Sequence, residues 1–550
     1  MTEQLAVQVV SALARAGGRA VFGVPGGGPN LDVVGAAGRA GFRFVLAHGE
    51  TAAAIMASTF GLLTVTPAAV IATRGPGAAS LANGVAQATL DRFPLVAITD
   101  TVPAAQRHRV AHQRIDQRAL FAPLTKRSAT ISPDVSEEAL DELVGAAITW
   151  PFGAVHLDMD PTATSTPLEP DRTQGAIPAD QRAPADRITT DMGEAVRAAR
   201  SLLAGAHRPV VIVGAEAVNH TDALRPLLSR AGWPVLCTYQ ALGLVPTEGI
   251  LHAGLFTNGA SEAPVLHAAD LIITIGLDLV EPIPAPWSYP HPIIRISSVP
   301  QEEEYLRAAV DLIGDPVAGT AALLAGAPDT WRDHAVDMRT RARAVIRATE
   351  SAPTDTDTTP TPTDGIGPVA LVDALIGHAA LLGPMSVTVD AGAHFLAIMP
   401  LWPASEPRRV LISNGLATMG FAVPAAVGAA LARPGEPVWA LTGDGGLAMC
   451  LGELETIARL DLPITVIVFN DAALSLIEIK QQSHHGGPDA VRYRRMDFAA
   501  VATGCGLQAH TVVTIDELHR AVDQPSVGPR LIDVRVDPRS YPALLTATRG

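Results

Sequence analysis

Residues 441–446 read Leu441-Thr442-Gly443-Asp444-Gly445-Gly446, and residues 469–471 read Phe469-Asn470-Asp471. Short apolar runs at 437–442 and 464–469 lead into these strings, and a helical pattern at about 447–459 separates the runs. This spacing predicts two parallel, neighbouring strands with Asp444 and Asp471 at their carboxyl ends. Two carboxylates there suit Mg²⁺, and the glycines let backbone N–H groups approach phosphate oxygens. A lone Gly-Asp-Gly would more simply be a turn, but the complete string favours a metal–diphosphate site.

Short apolar runs alternate with helical segments along the rest of the chain as well. They lie at 20–24, 68–73, 95–99, 209–213, 234–238, 271–275, 293–296, 385–389 and 531–536. The pattern predicts an α/β protein with three doubly wound parallel sheets, each covered by helices on both faces. Two stretches rich in Pro and Thr, 161–187 and 351–365, are predicted linkers. They leave three predicted domains, at 1–165, 188–350 and 366–550.

Composition limits the classes of partner. The 550-residue chain is 48% hydrophobic with a net charge of −15, which supports several buried cores and disfavours nucleic acids and anionic membranes. Its two lysines, Lys126 and Lys480, lie outside any Gly-Lys-Ser/Thr string, so a P-loop is excluded. No Gly-x-Gly-x-x-Gly follows a strand, which excludes a Rossmann dehydrogenase. Three scattered cysteines support neither disulfides nor a zinc site.

The expected location follows from two further features. The N-terminal stretch has neither the basic region nor the cleavage pattern of a signal peptide. The most apolar stretch, 415–432, contains Pro424 and many Ala and Gly residues, which predicts a buried helix rather than a membrane span. We therefore expect a soluble, cytoplasmic protein.

Taken together, these strings resemble the cofactor-binding motifs of the thiamin diphosphate (ThDP) enzymes of the acetolactate synthase and pyruvate decarboxylase group. Matching strings extend over nearly the whole chain, at 22–27, 75–78, 94–99, 390–394 and 415–425. The resemblance implies a pyrimidine-binding, a central and a diphosphate-binding domain, in that order. It also implies that Asp444 and Asp471 bind Mg²⁺ through their side chains and that Ala473 does so through its backbone carbonyl.

The resemblance implies a set of residues that bind ThDP. They are Pro25, Gly26, Gly75, Ala391, Gly392, Ala393, His394, Ala417, Met419, Gly443, Gly445, Gly446, Leu476 and Ile477. Met419 matches the apolar wedge that holds the cofactor in a V shape, and Ala417 offers its carbonyl to the 4′-amino group. His394 is expected to contact a phosphate and to help Mg²⁺ and backbone N–H groups neutralise it; a surface histidine at a strand end is the alternative.

Glu50 is the predicted catalytic carboxylate. It stands between a strand at 44–46 and an apolar helix at 51–62, where an ordinary helix-start acid would also be favoured by the helix dipole. In the family, a glutamate at this place protonates the aminopyrimidine ring, which makes its amino group a base. A departure is visible, because Gly49 stands where the family has His and His48 comes one residue earlier. Glu50 and the diphosphate site lie in different domains, so the resemblance implies a site between subunits of a homodimer or homotetramer.

Substrate residues are predicted from the same resemblance. Gln113 aligns with a glutamine that points at the cofactor, and a solvated loop glutamine is the alternative. Further candidates are Gly27, Gly28, His112, Glu478 and Lys480. A carboxylate at Glu478 disfavours an anionic acceptor unless it is neutralised. Residues 483–487 are interpreted as a lid, with an exposed polar loop as the alternative.

The predicted function is ThDP- and Mg²⁺-dependent decarboxylation of a 2-oxo acid, with pyruvate as the expected donor, followed by carboligation of the enamine to an acceptor. A non-ligating decarboxylase that releases an aldehyde is the alternative. FAD is not expected, because 276–282 differs from the Phe-Asp-Asp-Arg-like string of flavin-containing acetolactate synthases. A three-domain protein without catalysis is disfavoured by the joint presence of Glu50, Asp444 and Met419.

Overall fold

The computed structural model describes residues 2–166, 192–301, 306–325, 327, 330–350, 365–485, 490–524 and 528–550. Three six-stranded sheets follow one another along these residues, and helices alternate with their strands. The predicted α/β fold with three doubly wound parallel sheets is confirmed. Most of the predicted linkers at 161–187 and 351–365 lies outside the described residues, as do the side chains at 483–487. The domain boundaries therefore stay predictions.

The first sheet lies in the N-terminal part of the chain. Its strands are β1 (Ala20–Gly23), β2 (Arg43–Leu46), β3 (Ala69–Ala72), β4 (Leu95–Asp100), β5 (Arg127–Ile131) and β6 (Ala154–Met159). The α-helices are α1 (Thr2–Arg15), α2 (Pro29–Arg39), α3 (Glu50–Thr64), α4 (Pro76–Leu90), α5 (Gln117–Phe121) and α6 (Glu137–Ala147). The spatial order is β2-β1-β3-β4-β6-β5. Along β4, Leu95 and Ala97 enter one apolar core and Val96 and Ile98 another, so both faces are covered.

The strands of the second sheet, numbered in chain order, lie side by side as β12-β11-β10-β7-β8-β9. They are β7 (Pro209–Val213), β8 (Val235–Cys237), β9 (His252–Leu255), β10 (Leu271–Ile275), β11 (Ile293–Ser297) and β12 (Val310–Ile313). The α-helices of this part are α7 (Met192–Ala204), α8 (Thr221–Ala231), α9 (Ala263–Ala268), α10 (Pro316–Leu324) and α11 (Ala335–Ala348).

The third sheet repeats the strand order of the first. Its strands are β13 (Ser386–Val389), β14 (Val410–Ile412), β15 (Val438–Gly443), β16 (Ile464–Asn470), β17 (Gln508–Val512) and β18 (Arg530–Arg535), in the order β14-β13-β15-β16-β18-β17. The first α-helices of this part are α12 (Pro368–Ala379), α13 (Phe395–Leu401), α14 (Ala422–Ala432), α15 (Asp444–Ala448) and α16 (Glu453–Arg459). They are followed by α17 (Ser475–His485), α18 (Phe498–Gly504), α19 (Ile515–Asp523) and α20 (Tyr541–Arg549).

The neighbouring parallel strands predicted around the Gly-Asp-Gly string are confirmed, since β15 pairs with β16 in parallel. Two expected helices differ in extent. The helix predicted at about 447–459 is split into α15 and α16, and Gly452, between them, packs so closely on His48 that a Cβ there would lie 2.7 Å from the His48 Cβ. The helix predicted at 415–432 begins only at Ala422. None of the described helices is long and apolar enough to cross a membrane.

The first and third domains pack directly on each other through α3 and α14. A Cβ at Gly428 of α14 would lie 2.4 Å from the carbonyl oxygen of Met56 on α3, so only glycine permits this approach. Residues of both helices belong to one continuous apolar core. At the end of the same interface, the buried carboxylate of Asp91 accepts the Gly415 N–H at 2.5 Å.

Candidate functional site

A cavity of about 290 Å³ opens at the carboxyl edge of the third sheet. Its wall contains every predicted cofactor and metal residue of this domain. They are Ala391, Gly392, Ala393, His394, Ala417, Met419, Gly443, Asp444, Gly445, Gly446, Asp471, Ala473, Leu476 and Ile477. The structure brings them together because β13, β15 and β16 are neighbours and end at the same edge.

Two carboxylates, the buried Asp444 and the half-buried Asp471, dominate the electrostatics of this wall. Asp444, at the start of α15, accepts the N–H groups of Gly445 and Ala472 and the hydroxyl of Tyr493, each at 2.7 Å. Burial raises the pKa of Asp444 above its usual range. Burial and then the charge of Asp444 raise the pKa of Asp471 to about 7. The two carboxylates therefore repel each other in a poorly hydrated place.

The donor set fits a hard divalent cation. The donors recorded at Asp444 and Asp471 are hydroxyl and backbone N–H groups, none of which carries a charge, and the Ser475 hydroxyl donates to Asp471. A cation of the Mg²⁺ type would relieve the repulsion with oxygen ligands. Within the described residues no group of three or more His, Cys, Asp and Glu side chains forms a metal site. A cation held by these two side chains would complete its coordination shell with a backbone carbonyl, such as that of Ala473, and with oxygens of a ligand.

His394 shapes the glycine-rich loops of the wall. Its ring stacks on Phe469 with 5.3 Å between ring centroids, and it fills the space where a Cβ of Gly392 or Gly443 would fall. Those Cβ atoms would lie 2.7 and 3.3 Å from the ring, so both positions favour glycine. Within the described residues, the buried Nε2 of His394 has no hydrogen-bond partner.

Burial lowers the pKa of the His394 imidazole to about 3 in the protein alone. The expectation that His394 contacts a phosphate and helps to neutralise it stays a prediction, since a diphosphate beside the ring would favour its charged form. A neutral imidazole still offers a hydrogen bond through its unpartnered nitrogen.

The loop between β14 and α14 carries Ala417 and Met419 into the cavity wall. Ala417 has a φ of 54°, in the left-handed region that only a strongly constrained alanine adopts. The loop is held beside it by Thr418, whose N–H donates to the Ser413 hydroxyl at 3.1 Å, and by Asp390 at the end of β13, whose buried carboxylate accepts the N–H groups of Gly420 and Phe421 at 3.2 Å each. Asp390 was not predicted as a site residue, although a buried acid directly after an apolar strand is a signal for one.

Several cavity residues were not predicted from the sequence. They are Phe395, Leu474, Ser475, Tyr541 and Arg549. Tyr541 and Arg549 come from α20, more than sixty residues after the metal loop, and they reach the cavity only through tertiary packing. Tyr493, whose hydroxyl donates to Asp444, follows the stretch 483–487 and belongs to no recognisable motif.

The described wall of the cavity includes neither Glu478 nor Lys480. Glu478 is buried and accepts hydrogen bonds from Arg492, at 2.8 Å from Nε and 2.5 Å from the terminal nitrogen. Its charge is thus neutralised within the chain, which removes the expected barrier to an anionic acceptor. Lys480 lies exposed on α17. The other lysine, Lys126, is fully buried and donates to two carbonyl oxygens near the end of α6, so its role is structural.

Glu50 and Gln113 lie at the carboxyl edge of the first sheet, beside Gly75 and Gly77 at the start of α4. A Cβ at Gly77 would lie 3.1 Å from a Glu50 carboxylate oxygen, and one at Gly75 would lie 2.7 Å from the Gln113 carbonyl oxygen. Gly75 has a φ of +74°, which also favours glycine. The structure therefore brings three predicted residues, Glu50, Gln113 and Gly75, together at the start of α4.

The remaining predicted residues of the first domain lie near the same edge. Pro25, Gly26, Gly27 and Gly28 follow β1, and His112 is exposed beside Gln113. A Cβ at Gly26 would lie 2.5 Å from Thr73 and one at Gly28 would lie 2.6 Å from the Asp100 carboxylate, whereas Gly27 faces open space. The described wall of the third-domain cavity contains no residue of this set. Within one chain, the predicted site is thus present as two separate halves.

Family models match three segments of the chain. The N-terminal TPP binding domain of thiamine pyrophosphate enzymes matches residues 3–120, their central domain matches 196–323 and their C-terminal TPP binding domain matches 390–534. The C-terminal match spans the cavity loops from Ala391 to Ile477, and the N-terminal match includes Glu50 and Gln113.

Curated relatives match over nearly the whole length. Acetolactate synthase of Bacillus subtilis (strain 168) is 30% identical over 96% of this chain and 92% of the relative. The large subunit of acetolactate synthase isozyme 1 from Escherichia coli (strain K12) is 29% identical, over 96% and 93%. A probable 2-ketoarginine decarboxylase of Pseudomonas aeruginosa is 29% identical, over 93% and 90%. The chain therefore belongs to the thiamin diphosphate-dependent enzymes and is of the acetolactate synthase type.

Proposed function

We propose that this enzyme uses ThDP and Mg²⁺ to decarboxylate a 2-oxo acid, with pyruvate as the donor, and joins the remaining unit to an acceptor. The observation that carries the proposal is the cavity of the third sheet, whose wall combines the carboxylates of Asp444 and Asp471, glycine-rich loops and Met419. Relatives named acetolactate synthase, which match over 96% of the chain, support carboligation as the reaction class.

The third domain supplies the metal and phosphate contacts in this proposal. Asp444, Asp471 and the carbonyl of Ala473 hold Mg²⁺, and backbone N–H groups of the glycine-rich loops hold the diphosphate. His394 offers a hydrogen bond from its unpartnered nitrogen. Met419 supports the bend of the cofactor. Bound ThDP supplies an electron sink, which the side chains of this protein do not provide.

The first domain supplies the proton-transfer group. Glu50 exchanges a proton with the aminopyrimidine ring, and Gln113 orients the substrate carbonyl. We propose that both reach the cavity from a second copy of the chain, in a homodimer or homotetramer. The proposal is supported by the cavity wall, whose described residues all come from the third domain.

FAD has no role in the proposed reaction. At the carboxyl edge of the second sheet lies the buried Glu281. Its carboxylate accepts the N–H groups of Ala215 and Asp278 at 2.9 Å each and the Thr238 hydroxyl at 2.5 Å. These are the groups that an anionic ligand would use. A cytoplasmic location is part of the proposal and agrees with Cys237, Cys450 and Cys505, which are all free.

A decarboxylase that releases an aldehyde is the second candidate. The observation in its favour is the relative named probable 2-ketoarginine decarboxylase, which is as similar as several acetolactate synthases. The two reactions share the cavity and the proton-transfer group and differ in the acceptor of the remaining unit.

Product analysis separates the two candidates. The purified enzyme is incubated with ThDP, Mg²⁺ and pyruvate or other 2-oxo acids, including 2-ketoarginine, and products are followed by NMR. We expect acetolactate from pyruvate, and no product from the Asp444→Ala control. Acetaldehyde without acetolactate, or turnover of 2-ketoarginine alone, would establish the decarboxylase instead. No turnover of any 2-oxo acid by a ThDP-loaded enzyme would contradict both.

A further inference from the structure

The turn that leads into Glu50 is held by a carboxylate of the third domain. Glu453, the first residue of α16, accepts the backbone N–H groups of His48 at 3.0 Å and of Gly49 at 3.1 Å, both on the same oxygen. Its other oxygen accepts the Thr456 hydroxyl at 2.8 Å. The Glu453 side chain is buried, so these bonds are sheltered from water.

The turn has little local support of its own. Gly49 is the N-cap residue of α3 and offers no side-chain cap, unlike the Ser, Thr, Asp or Asn that usually fixes such a turn. The Glu453 carboxylate compensates for this by holding the chain directly before the helix. Since Glu50 is the next residue, a shift at Gly49 moves the Glu50 Cα with it.

The remaining contacts of α16 with this turn are weaker or more exposed. Arg459 donates to the Leu46 carbonyl oxygen at 2.7 Å, and Glu455 contacts the His48 ring nitrogen at 2.7 Å. Both Glu455 and His48 have side chains that are at least 40% exposed, so this pair contributes little. Glu453 is the buried member of the set and the one that holds the two backbone N–H groups directly before Glu50.

The helix that carries Glu453 is also tied to the metal loop. It follows α15, which starts at Asp444, with only a short connection between the two helices. Gly452 in that connection packs against His48, where a Cβ would lie 2.7 Å from the His48 Cβ. The diphosphate loop and the turn before Glu50 are therefore joined through one helix of the same chain.

We propose that Glu453 is a positioning residue for Glu50, which acts by fixing the His48 and Gly49 N–H groups from the third domain. The inference rests on the proposed role of Glu50 as the proton-transfer group. Glu453 itself is absent from the described cavity wall, so it is expected to affect turnover without changing cofactor affinity.

The test compares Glu453→Ala and Glu453→Gln with the control Glu455→Gln. Amide hydrogen exchange of the peptide 44–52 in the cofactor-free enzyme reports on the turn directly. The Kd for ThDP with Mg²⁺, KM and kcat report on the site. We expect Glu453→Ala to raise exchange and to lower kcat by about tenfold to a hundredfold, because small misplacements of a reacting group are costly. KM and Kd should stay within about threefold, where only positioning is lost.

Glu453→Gln keeps an oxygen for the two N–H groups and is expected to restore most of kcat, and Glu455→Gln should behave as wild type. If Glu453→Ala does not fold, Glu453→Asp, whose shorter side chain cannot reach both N–H groups, is measured instead. Wild-type exchange and kcat in the variant used would overturn the proposal, as would a loss of ThDP affinity equal to the loss of kcat. Full turnover by Glu50→Gln would overturn the proposed role of Glu50 and not the structural role of Glu453.

Discussion

The first and third domains have the same strand order but differ in how the acids at their carboxyl edges are arranged. At the third-domain edge, Asp444 and Asp471 line a cavity, and the pKa of each is raised. At the first-domain edge, Asp100 and Asp158 are also buried with raised pKa values, but they accept hydrogen bonds from Asn30 and Gln117 of the same domain. The half-buried Glu50 lies at that edge beside the start of α4. In the proposed function, the first edge supplies the proton-transfer group and the third edge holds the metal and the diphosphate. The fold sets the place of each site, and a few edge residues set its chemistry.

The second domain also has a buried carboxylate at the carboxyl edge of its sheet. Glu281 accepts the N–H groups of Ala215 and Asp278 at 2.9 Å each. Asp278 beside it forms an ion pair at 2.7 Å with Arg92 of the first domain. This edge has become a structural joint between domains.

The largest expected effect comes from the first-domain edge. Glu50→Gln removes the proton-transfer group but keeps the size of the side chain, so turnover should fall by about a hundredfold to ten-thousandfold. ThDP binding, measured by titration calorimetry, should be retained because the diphosphate contacts lie in the other domain. Normal turnover in this variant would contradict the assignment of proton transfer to Glu50 at the first-domain edge.

The next largest effect is expected at the third-domain edge, where a substitution should lower the affinity for the cofactor. Asp444→Ala removes one predicted metal ligand, and the affinity for ThDP with Mg²⁺ should fall by about a hundredfold or more. Removing Mg²⁺ with a chelator should reproduce the loss in the wild-type enzyme. Unchanged affinity in Asp444→Ala would show that this carboxylate does not hold the metal.

A smaller effect on metal binding is expected from substitution of Tyr493, which was not predicted as a site residue. Tyr493→Phe removes the hydroxyl that donates to Asp444 at 2.7 Å but keeps the ring. Loss of such a supporting hydrogen bond should weaken Mg²⁺ binding by about tenfold. Metal titration at fixed ThDP measures it. An equal change in a variant at an exposed surface position, such as Glu194→Gln, would point to a general loss of stability.

The smallest effect concerns stability and the second domain. Burial raises the pKa of Glu281 from 4.5 to about 7. Between these two pH values the folded state therefore holds a proton on Glu281 that the unfolded chain releases. The resulting stabilisation, about 3 kcal/mol at most, is complete below pH 4.5 and is lost as the pH rises through 7.

Glu281→Gln should therefore stabilise the protein at pH 8 relative to wild type, by about 2–4 °C in Tm for each kcal/mol, and much less at pH 5. Thermal unfolding at the two pH values measures the difference. A variant that is less stable than wild type at pH 8 would show that the charged form of Glu281 is favoured by its partners.

The predictable part of the site followed from local spacing. Asp444 and Asp471 were placed correctly at one edge because a strand–helix–strand unit fixes which strand ends are neighbours. Tyr493, Asp390 and Glu453 were not predicted as site residues, because their roles depend on contacts between segments that are distant in sequence. The burial of the His394 ring by Phe469 and the glycine loops is likewise a tertiary property that local spacing does not reveal.

The fold shows the same division. The buried central strands were predicted within a residue or two because they are continuous apolar runs. Strands such as β5, β12 and β17 were not predicted, since they lie at sheet edges and have mixed polar sequences. The division of the predicted helix at 447–459 depends on the close contact of Gly452 with His48, which no periodicity reveals.

The most direct measurement mixes two inactive chains. Glu50→Gln retains the third-domain half of the site and Asp444→Ala retains the first-domain half, so the two are unfolded together and refolded as mixed dimers. If each site is built from two chains, half of the dimers contain one complete site, and about a quarter of wild-type turnover should return. If no turnover returns although mixed dimers form, the site lies within one chain and the account of two complementary edges is contradicted.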